Sequence, residues 1–332
     1  MPVDFLTDTQ ERCYGRYGNP PSPAQLARYF HLDDVDREII AGRRGDHNRL
    51  GFALQLCTVR FLGTVLEDPT DVPVAVVKVL ASQLGIPDLT ELECLQRYRS
   101  GETRWDHSRE IRERYGYRDF SDQPEHFRLV RWLYTRAWLT AERPSILFDL
   151  ATARLVENKV LLPGVSVLAR LVASVRDRAA SRLWRILASI QTTEQRARLQ
   201  EMLTASDRAR QTPLDRLRRA PIRLSAPGLV KALNRLTEIR KLGVGGLDVS
   251  NVPPSRLKAL ARYAMAARAQ AIERMPEQRR LATLLAFVIV LEATAQDDAI
   301  TILDQMITKV MARAERIGQQ ERLRTLKALD SA

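Results

Sequence analysis

The sequence predicts an all-α protein, a multi-domain helical array with helix-turn-helix-like N-terminal units. Apolar residues recur at the helical period along nearly the whole chain. No pair of alternating segments flanks a tight turn, as a strand hairpin would require, and no repeat has a fixed period. The 332 residues suffice for two or three domains, and 45% hydrophobic with 28% charged residues is typical of globular proteins.

Capping residues and breakers mark the expected helix ends. Ser22, Asp33 and Asp46 are placed to cap the first three helices. Pro163-Gly164 predicts a break, and residues 243–246, rich in glycine, predict a flexible joint. The expected helices are 24–30, 34–40, 47–62, 72–84, 88–98, 104–115, 124–141, 144–157, 165–190, 193–205, 213–219, 227–242, 254–275, a buried one opened by Pro276, and a last one from 298.

The charge indicates an anionic partner, since the chain carries a net +12. Only seven of its 52 basic residues are lysine. Arginine suits phosphate and guanine edges, although a GC-rich genome would equally favour arginine codons. Residues 1–150 hold 20 basic and 23 acidic side chains, a net −3, whereas residues 151–332 hold 32 and 17, a net +15. A binding role for the first half must therefore depend on local clusters.

Several protein classes are excluded by composition. The three cysteines and four histidines show no disulfide framework and no metal-ligand spacing. The N-terminus lacks the apolar core of a secretory signal. The apolar run from Leu281 to Leu291 is too short to span a bilayer and predicts a buried helix. We expect a cytoplasmic, nucleoid-associated protein without membrane contact.

The first candidate binding cluster lies in a turn and helix start between Gly42 and Leu50. The following helix can present its first-turn side chains and backbone amides to DNA, as helix-turn-helix recognition helices do. The alternative is an ordinary loop with solvated arginines, and Asp46 would compete for the same amides. The cluster comprises Arg43, Arg44, His47, Asn48 and Arg49.

Two further basic clusters are candidates for phosphate contact. The first has interleaved acids that also predict a salt-bridged, solvated helix, and it comprises Arg97, Arg99, Arg104, Arg109, Arg112 and Arg114, with Trp105 and His107 among them. The second has few acids, so two roles are possible for it: neutralisation of DNA phosphates, or an ordinary solvated surface. It comprises Arg208, Arg210, Arg216, Arg218, Arg219, Arg223, Arg235, Arg240 and Lys241.

Catalytic signals are weak. Neighbouring carboxylates on a helix diverge by about 100°, whereas two-metal chemistry needs converging acids. We therefore interpret Asp33, Asp34 and Asp36, and the pair Asp297 and Asp298, as caps or surface acids. The four tryptophans, Trp105, Trp132, Trp138 and Trp184, are expected in the core or half-buried.

Six segments resemble one family. From Phe5 to about Leu326 the chain is similar to transposases of the Tn-three family, the enzymes of replicative transposons that also encode a resolvase. The segments are FHLDDVD from Phe30, continuing to Cys57, GVSVL at 164–168, GLVKAL at 228–233, LARYA at 260–264, MPEQRRLATLLAF at 275–287 and AQDDA at 295–299.

The resemblance implies sequence-specific recognition of transposon terminal inverted repeats. It places an RNase-H-like catalytic core, with its magnesium-binding acids, in a C-terminal portion that nothing here matches. We expect this chain to be a fragment, a truncated product or one piece of a split transposase, with no catalytic residue and no cofactor of its own. Its expected partners are double-stranded transposon-end DNA and the missing catalytic portion or a full-length transposase. An end-occupying competitor and a helical protein-interaction scaffold without a DNA role stay open.

The domain prediction follows the same resemblance. Residues 1–68 and 69–163 are expected to form two helical DNA-binding units, and residues 164–332 a helical linker that adds a third DNA contact. Arg44, Asn48 and Arg49 are expected to read base edges, whereas Arg218 and Arg219 are expected to contact phosphates.

Overall fold

The computed structural model describes residues 5–87, 91–205, 211–221 and 223–330, without the side chains of residue 325 and residues 327–330. This part of the chain contains helices and no strand, so the all-α prediction is confirmed. The helices are α1 Asp8–Cys13, α2 Pro23–Tyr29, α3 Asp34–Ala41, α4 Asp46–Leu62, α5 Val74–Leu84, α6 Glu91–Ser100, α7 Thr103–Tyr115, α8 Gln123–Leu139, α9 Pro144–Glu157, α10 Val165–Ser189, α11 Thr193–Glu201, α12 Pro213–Leu217, α13 Ala226–Arg240, α14 Pro254–Ala266, α15 Ala269–Glu273 and α16 Glu277–Asp330.

The predicted N-caps of α2 and α3 are confirmed, and the predicted N-cap of α4 is wrong. Ser22 and Asp33 each accept a hydrogen bond from a backbone amide of the first turn, in a reciprocal capping box. Gly45, with φ 80°, is the N-cap of α4, so Asp46 is the first helical residue. A glycine adopts this φ without strain but has no side chain to cap the amides.

Three predictions in the second half need correction. The helix expected over 254–275 is split, because Ala267 and Arg268 are extended and separate α14 from α15. The two helices expected after Pro276 form the single helix α16, since no proline or glycine interrupts the chain there until Gly318. The predicted joint at 243–246 is a packed turn, in which Val244 is buried and the Gly243 carbonyl accepts a 2.6 Å hydrogen bond from Gln195 Nε2.

The chain forms two compact units. Unit 1 comprises residues 1–137 and 142–177, and unit 2 comprises residues 138–141 and 178–332. In unit 1, one core takes side chains from α3 and α4 as well as from α5, α6 and α7. Residues on both sides of the expected boundary at residue 68 thus share this core, while the division into three DNA-binding parts stays a prediction.

Helix α4 is the central element of unit 1. Every residue from Leu50 to Val59 is buried, where the sequence predicted a single apolar stripe. Helix α6 crosses α4 at Gly51, where a Cβ atom would overlap the ring of the fully buried Tyr98. The Tyr98 hydroxyl lies 3.1 Å from His107 Nδ1 on α7, and the His107 ring packs edge-on against Phe52 of α4. The absence of a side chain at residue 51 therefore sets how closely these three helices approach.

A buried ion pair joins α3, α4 and α7. The Asp36 carboxylate accepts two hydrogen bonds from the Arg60 guanidinium, at 2.7 and 2.8 Å, and one from the Tyr115 hydroxyl at 2.8 Å. Burial alone would raise the pKa of Asp36, but the hydrogen bonds from Arg60 and Tyr115 and the charge of Arg60 outweigh it and lower that pKa. Asp36 is therefore not a surface acid. Besides the ion pair, its carboxylate accepts a 3.2 Å hydrogen bond from the Asp33 amide as the second member of the capping box, and Asp33 is a cap as expected.

Unit 2 is organised around the first third of α16. Its residues 281–288 are buried and pack among α11, α13 and α14, which confirms the buried helix predicted from the apolar run. Further along α16, Ala299 and Ile302 pack against Ala232 of α13. Beyond them the helix exposes much of its surface.

Gly51→Ala should destabilise unit 1, because the new methyl group has no space beside Tyr98. We expect a loss of about 3 kcal/mol in the free energy of unfolding, the upper end for an overpacked core. Gly101→Ala is the control, since its Cβ would meet its nearest neighbours at an ordinary 3.5 Å. Equal urea-unfolding midpoints for the two variants would contradict the close approach of Tyr98 to Gly51, where α6 crosses α4.

Asp36→Asn should cost about 3–5 kcal/mol of stability, because it leaves the Arg60 charge without its buried partner. Asp34→Asn, which changes an exposed carboxylate two residues away, should cost less than about 0.5 kcal/mol. Chemical denaturation at pH 7 measures both losses.

His107 makes the stability of unit 1 depend on pH. Burial, and then the charge of Arg43, lower the pKa of His107 to about 4. The folded state therefore favours the neutral ring, and its stabilisation is complete above the unfolded pKa of about 6.5 and is lost as pH falls towards 4. We expect a loss of about 3 kcal/mol across this window.

Replacing His107 by Leu should flatten the pH profile between pH 6.5 and 5, whereas His31→Gln, at an exposed histidine, should leave it unchanged. Thermal melts at a series of pH values provide the test. An unchanged slope in the His107 variant would show that another group is responsible.

Candidate nucleic-acid interface

Two arginines of the first predicted cluster are engaged within the fold. Arg43 pairs with Glu110 of α7 at 2.6 Å, and its guanidinium lies 4.4 Å from the centre of the Phe52 ring. Arg49 pairs with Asp46 at 2.9 Å and donates a 3.0 Å hydrogen bond to the carbonyl of Leu84, at the end of α5. Both guanidinium groups therefore connect helices, and the expected base contact of Arg49 would require these bonds to break.

The remaining residues of this cluster are nearer to solvent. Arg44 is exposed, and no ion pair to it occurs within the described residues. Asn48 donates to the Arg44 carbonyl at 3.0 Å and accepts from the Thr103 hydroxyl at 3.1 Å. Burial, and then the charge of Arg97, lower the pKa of His47, so its ring is neutral at pH 7. Arg44 is thus the cation of this turn that is available to a ligand.

The bond between Asn48 and Thr103 brings two helix N-termini together, those of α4 and α7. Each helix follows another after a short connection that contains glycine, residues 42–45 before α4 and residues 101–102 before α7. Such pairs are the elements of helix-turn-helix units, in which residues at the start of the second helix contact DNA. Unit 1 thus has two helix pairs with such short connections, and their role as helix-turn-helix units stays a prediction.

Helix α7 differs from α4 in how much of it is accessible. His107 and Ile111 are its buried residues and face α4. On the opposite side, Trp105, Arg109 and Arg112 follow one another at spacings of four and three residues, so they lie in one row along the helix. We call these three residues the α7 row.

The α7 row combines an exposed aromatic ring with two accessible cations. Trp105 is 66% exposed, which corrects the expectation that all four tryptophans are core or half-core. Arg109 pairs with Asp106 at 3.2 Å and Arg112 with Asp119 at 3.6 Å. Since ion pairs this exposed contribute only about 0–1 kcal/mol, a phosphate or base can displace the acids.

The other arginines of the second cluster are oriented differently. Arg99 pairs with Asp68 at 3.1 Å, and Arg104 donates to the Glu67 carbonyl, so both bind the loop before α5. Arg114 pairs with Glu110 at 2.8 Å. Arg97 is exposed near His47, and no ion pair to it occurs in the described part of the chain.

Four of the seven described arginines and lysines of the third cluster pair with acids in unit 2. Arg218 is nearly buried, pairs with Asp215 at 2.7 Å and donates to the carbonyls of Ala264 and Ala267, so it holds the end of α14. Arg219 and Lys241 are exposed. Arg208 and Arg210 lie outside the described residues. The remaining ion pairs are Arg216 with Glu238, Arg235 with Asp298 and Arg240 with Glu292.

No group of three histidine, cysteine or acidic side chains within the described ranges is arranged to hold a metal ion. None of the described helices has the length and apolarity to cross a membrane. What this surface offers chemically is a set of guanidinium donors and one exposed indole ring, presented mainly by α7. The arginines of this helix were predicted from the sequence. The exposure of Trp105 was not, because it depends on which side of α7 packs against α4.

Comparison with known proteins identifies the family of the chain. The model of a domain of unknown function, DUF4158, matches residues 5–175. Over 100% of its length the chain is 48% identical to the transposase for transposon gamma-delta of Escherichia coli (strain K12), of which it covers 33%. It is 30% identical to the transposase for transposon Tn501 of Pseudomonas aeruginosa, over 94% of the chain and 31% of that protein.

A third relative is the transposase for transposon Tn1546 of Enterococcus faecium, 26% identical over 96% of the chain and 32% of that protein. The chain therefore spans about a third of the length of these relatives. The match extends through both units and includes the segments that carried the resemblance. The chain belongs to the DUF4158 family and is a homologue of the Tn-three family transposases.

Proposed function

We propose that this chain is the end-binding N-terminal portion of a Tn-three family transposase and recognises double-stranded DNA at transposon terminal inverted repeats. The observation that carries the proposal is the α7 row. It lies on the second helix of a helix-turn-helix-like pair and is accessible along the helix, whereas α4 is buried from Leu50 to Val59. Homology to transposases supports DNA as the partner.

Helix α7 is the element proposed to enter the major groove. An exposed helix face fits that groove, and arginine makes a bidentate contact with guanine there. Arg109 and Arg112 are proposed to read bases, and Trp105 to pack against the sugar or a thymine methyl group. Arg44, Arg97 and the uncapped first turn of α4 are proposed to contact neighbouring phosphates.

We propose that this portion acts without a cofactor and that magnesium serves a catalytic portion outside it. We further propose that α16 packs against more transposase polypeptide. Between residues 300 and 317 it exposes apolar residues at spacings of three, four, three and seven, which fit the heptad period of a helix-packing seam. The relatives are about three times as long as this chain, so such polypeptide exists in them. The exposed residues are Ile300, Leu303, Ile307, Val310 and Ile317.

The α7 row can be tested by Arg109→Ala. Loss of a base contact should weaken binding to a terminal inverted repeat by about 1–3 kcal/mol, roughly 5- to 150-fold, and binding to a scrambled duplex much less. Arg114→Ala is the matched control, since this arginine lies on the same helix with a similar exposed fraction, 58% against 61%, but off the row. It should change either affinity less than about twofold.

Fluorescence titrations of both duplexes at one salt concentration measure these effects, with circular dichroism to confirm folding. Equal weakening on both duplexes would make Arg109 a phosphate contact and move base readout elsewhere. No effect of Arg109→Ala on either duplex would contradict the proposed role of α7. Absence of salt-dependent DNA binding by the unmodified chain would favour the protein-interaction scaffold instead.

A further inference from the structure

Helix α14 has a basic outer face that the sequence analysis did not single out. Leu257, Ala261 and Ala264 are buried on its inner side, which packs against α16. Lys258 and Arg262 lie about 100° around the helix from the buried Leu257 and Ala261 that precede them, and both are exposed. Because they are four residues apart, their positions differ by about 6 Å along the helix axis.

No acidic residue accompanies these cations on their own segment. Residues 249–272 contain three arginines and one lysine and no aspartate or glutamate, so this segment has a net charge of +4. Neither Lys258 nor Arg262 forms an ion pair with any described residue. This contrasts with Arg216, Arg235 and Arg240 on α12 and α13, each of which has an acidic partner. Lys258 and Arg262 are thus, like the exposed Arg219 and Lys241 of the predicted cluster, cations of unit 2 that no described acid neutralises.

The surroundings of the two cations suit a close approach by a polyanion. Ala259 and Ala266 also lie on the outer side of α14. Because their side chains are small, they do not obstruct the approach of a ligand to the longer basic side chains. At the edge of this face Tyr263 is 42% exposed, and the Arg279 guanidinium lies 6.0 Å from its ring centre. Arg279 also lies 5.2 Å from the centre of the Trp184 ring, so a third cation is held at a defined place.

We propose that the outer face of α14 binds the phosphate backbone of duplex DNA through Lys258 and Arg262, without reading its sequence. This inference rests on the proposed DNA-binding function and adds a second contact surface to it. Cations that are free of protein acids gain most from releasing the counterions of DNA, which makes such a contact salt-dependent and sequence-independent. An acidic protein partner is the competing outcome of the test.

The double variant Lys258→Ala/Arg262→Ala, in the full chain, tests the inference. On a scrambled duplex, the slope of log affinity against log salt should become shallower by about 1.8, because each lost phosphate contact contributes about 0.9. The ratio of inverted-repeat to scrambled affinity should stay the same. Lys258→Gln/Arg262→Gln keeps more of the side-chain length and should give the same shift.

The matched control is Arg313→Ala/Arg316→Ala, which removes the same charge from exposed positions on α16. It should leave the slope unchanged. An equal change of slope in the α14 variants and in this control would show a bulk-charge effect and would overturn the α14 site. An unchanged slope in both α14 variants, while the unmodified chain binds DNA, would overturn it as well. If the unmodified chain bound neither duplex, the proposed function would fail together with this inference, and an acidic partner would remain for α14.

Discussion

The ion pair between Asp36 and Arg60 is the constraint on which the arrangement of unit 1 depends. It connects the start of α3 to the last turn of the central helix α4, and Tyr115 extends it to the end of α7. A carboxylate without exposed surface is costly unless it is fully hydrogen-bonded, and here three bonds from two side chains satisfy it. The position of α7, and with it the proposed DNA-binding row, is therefore fixed at one end by this pair.

The other end of α7 is fixed by packing. Tyr98 lies over Gly51, and His107 is held between Tyr98 and Phe52. These contacts bury one side of α7 and so determine which residues remain outside. The Arg43 guanidinium packs on the Phe52 ring at the same place, so this arginine beside the proposed interface stabilises the core. A helix held at both ends is a suitable support for recognition, because its exposed side chains are positioned before any DNA arrives.

Arginine is used for two purposes in this protein. Arg43, Arg49, Arg60 and Arg218 connect helices by binding carboxylates, carbonyl oxygens or aromatic rings. Arg44, Arg262 and Arg219 are exposed without such bonds in the described part of the chain. Net charge alone thus overstates what is available to DNA, since much of it is neutralised within each unit. The proposed contacts fall where acids are distant or exposed, on α7 and on α14.

The sequence by itself determined the all-α class, most helix positions, the caps at Ser22 and Asp33, the buried run of α16 and the family. These depend on local periodicity, capping chemistry and similarity over the chain, all of which are present in the residue order. Tertiary structure decided which basic residues are free. Arg44 and Arg49 look alike in the sequence, but only Arg49 is near Leu84 of α5, which is 35 residues away. Trp105 and Lys258 are exposed because the other sides of α7 and α14 pack against α4 and α16. These contacts join residues that are distant in the sequence, so local sequence patterns do not reveal them.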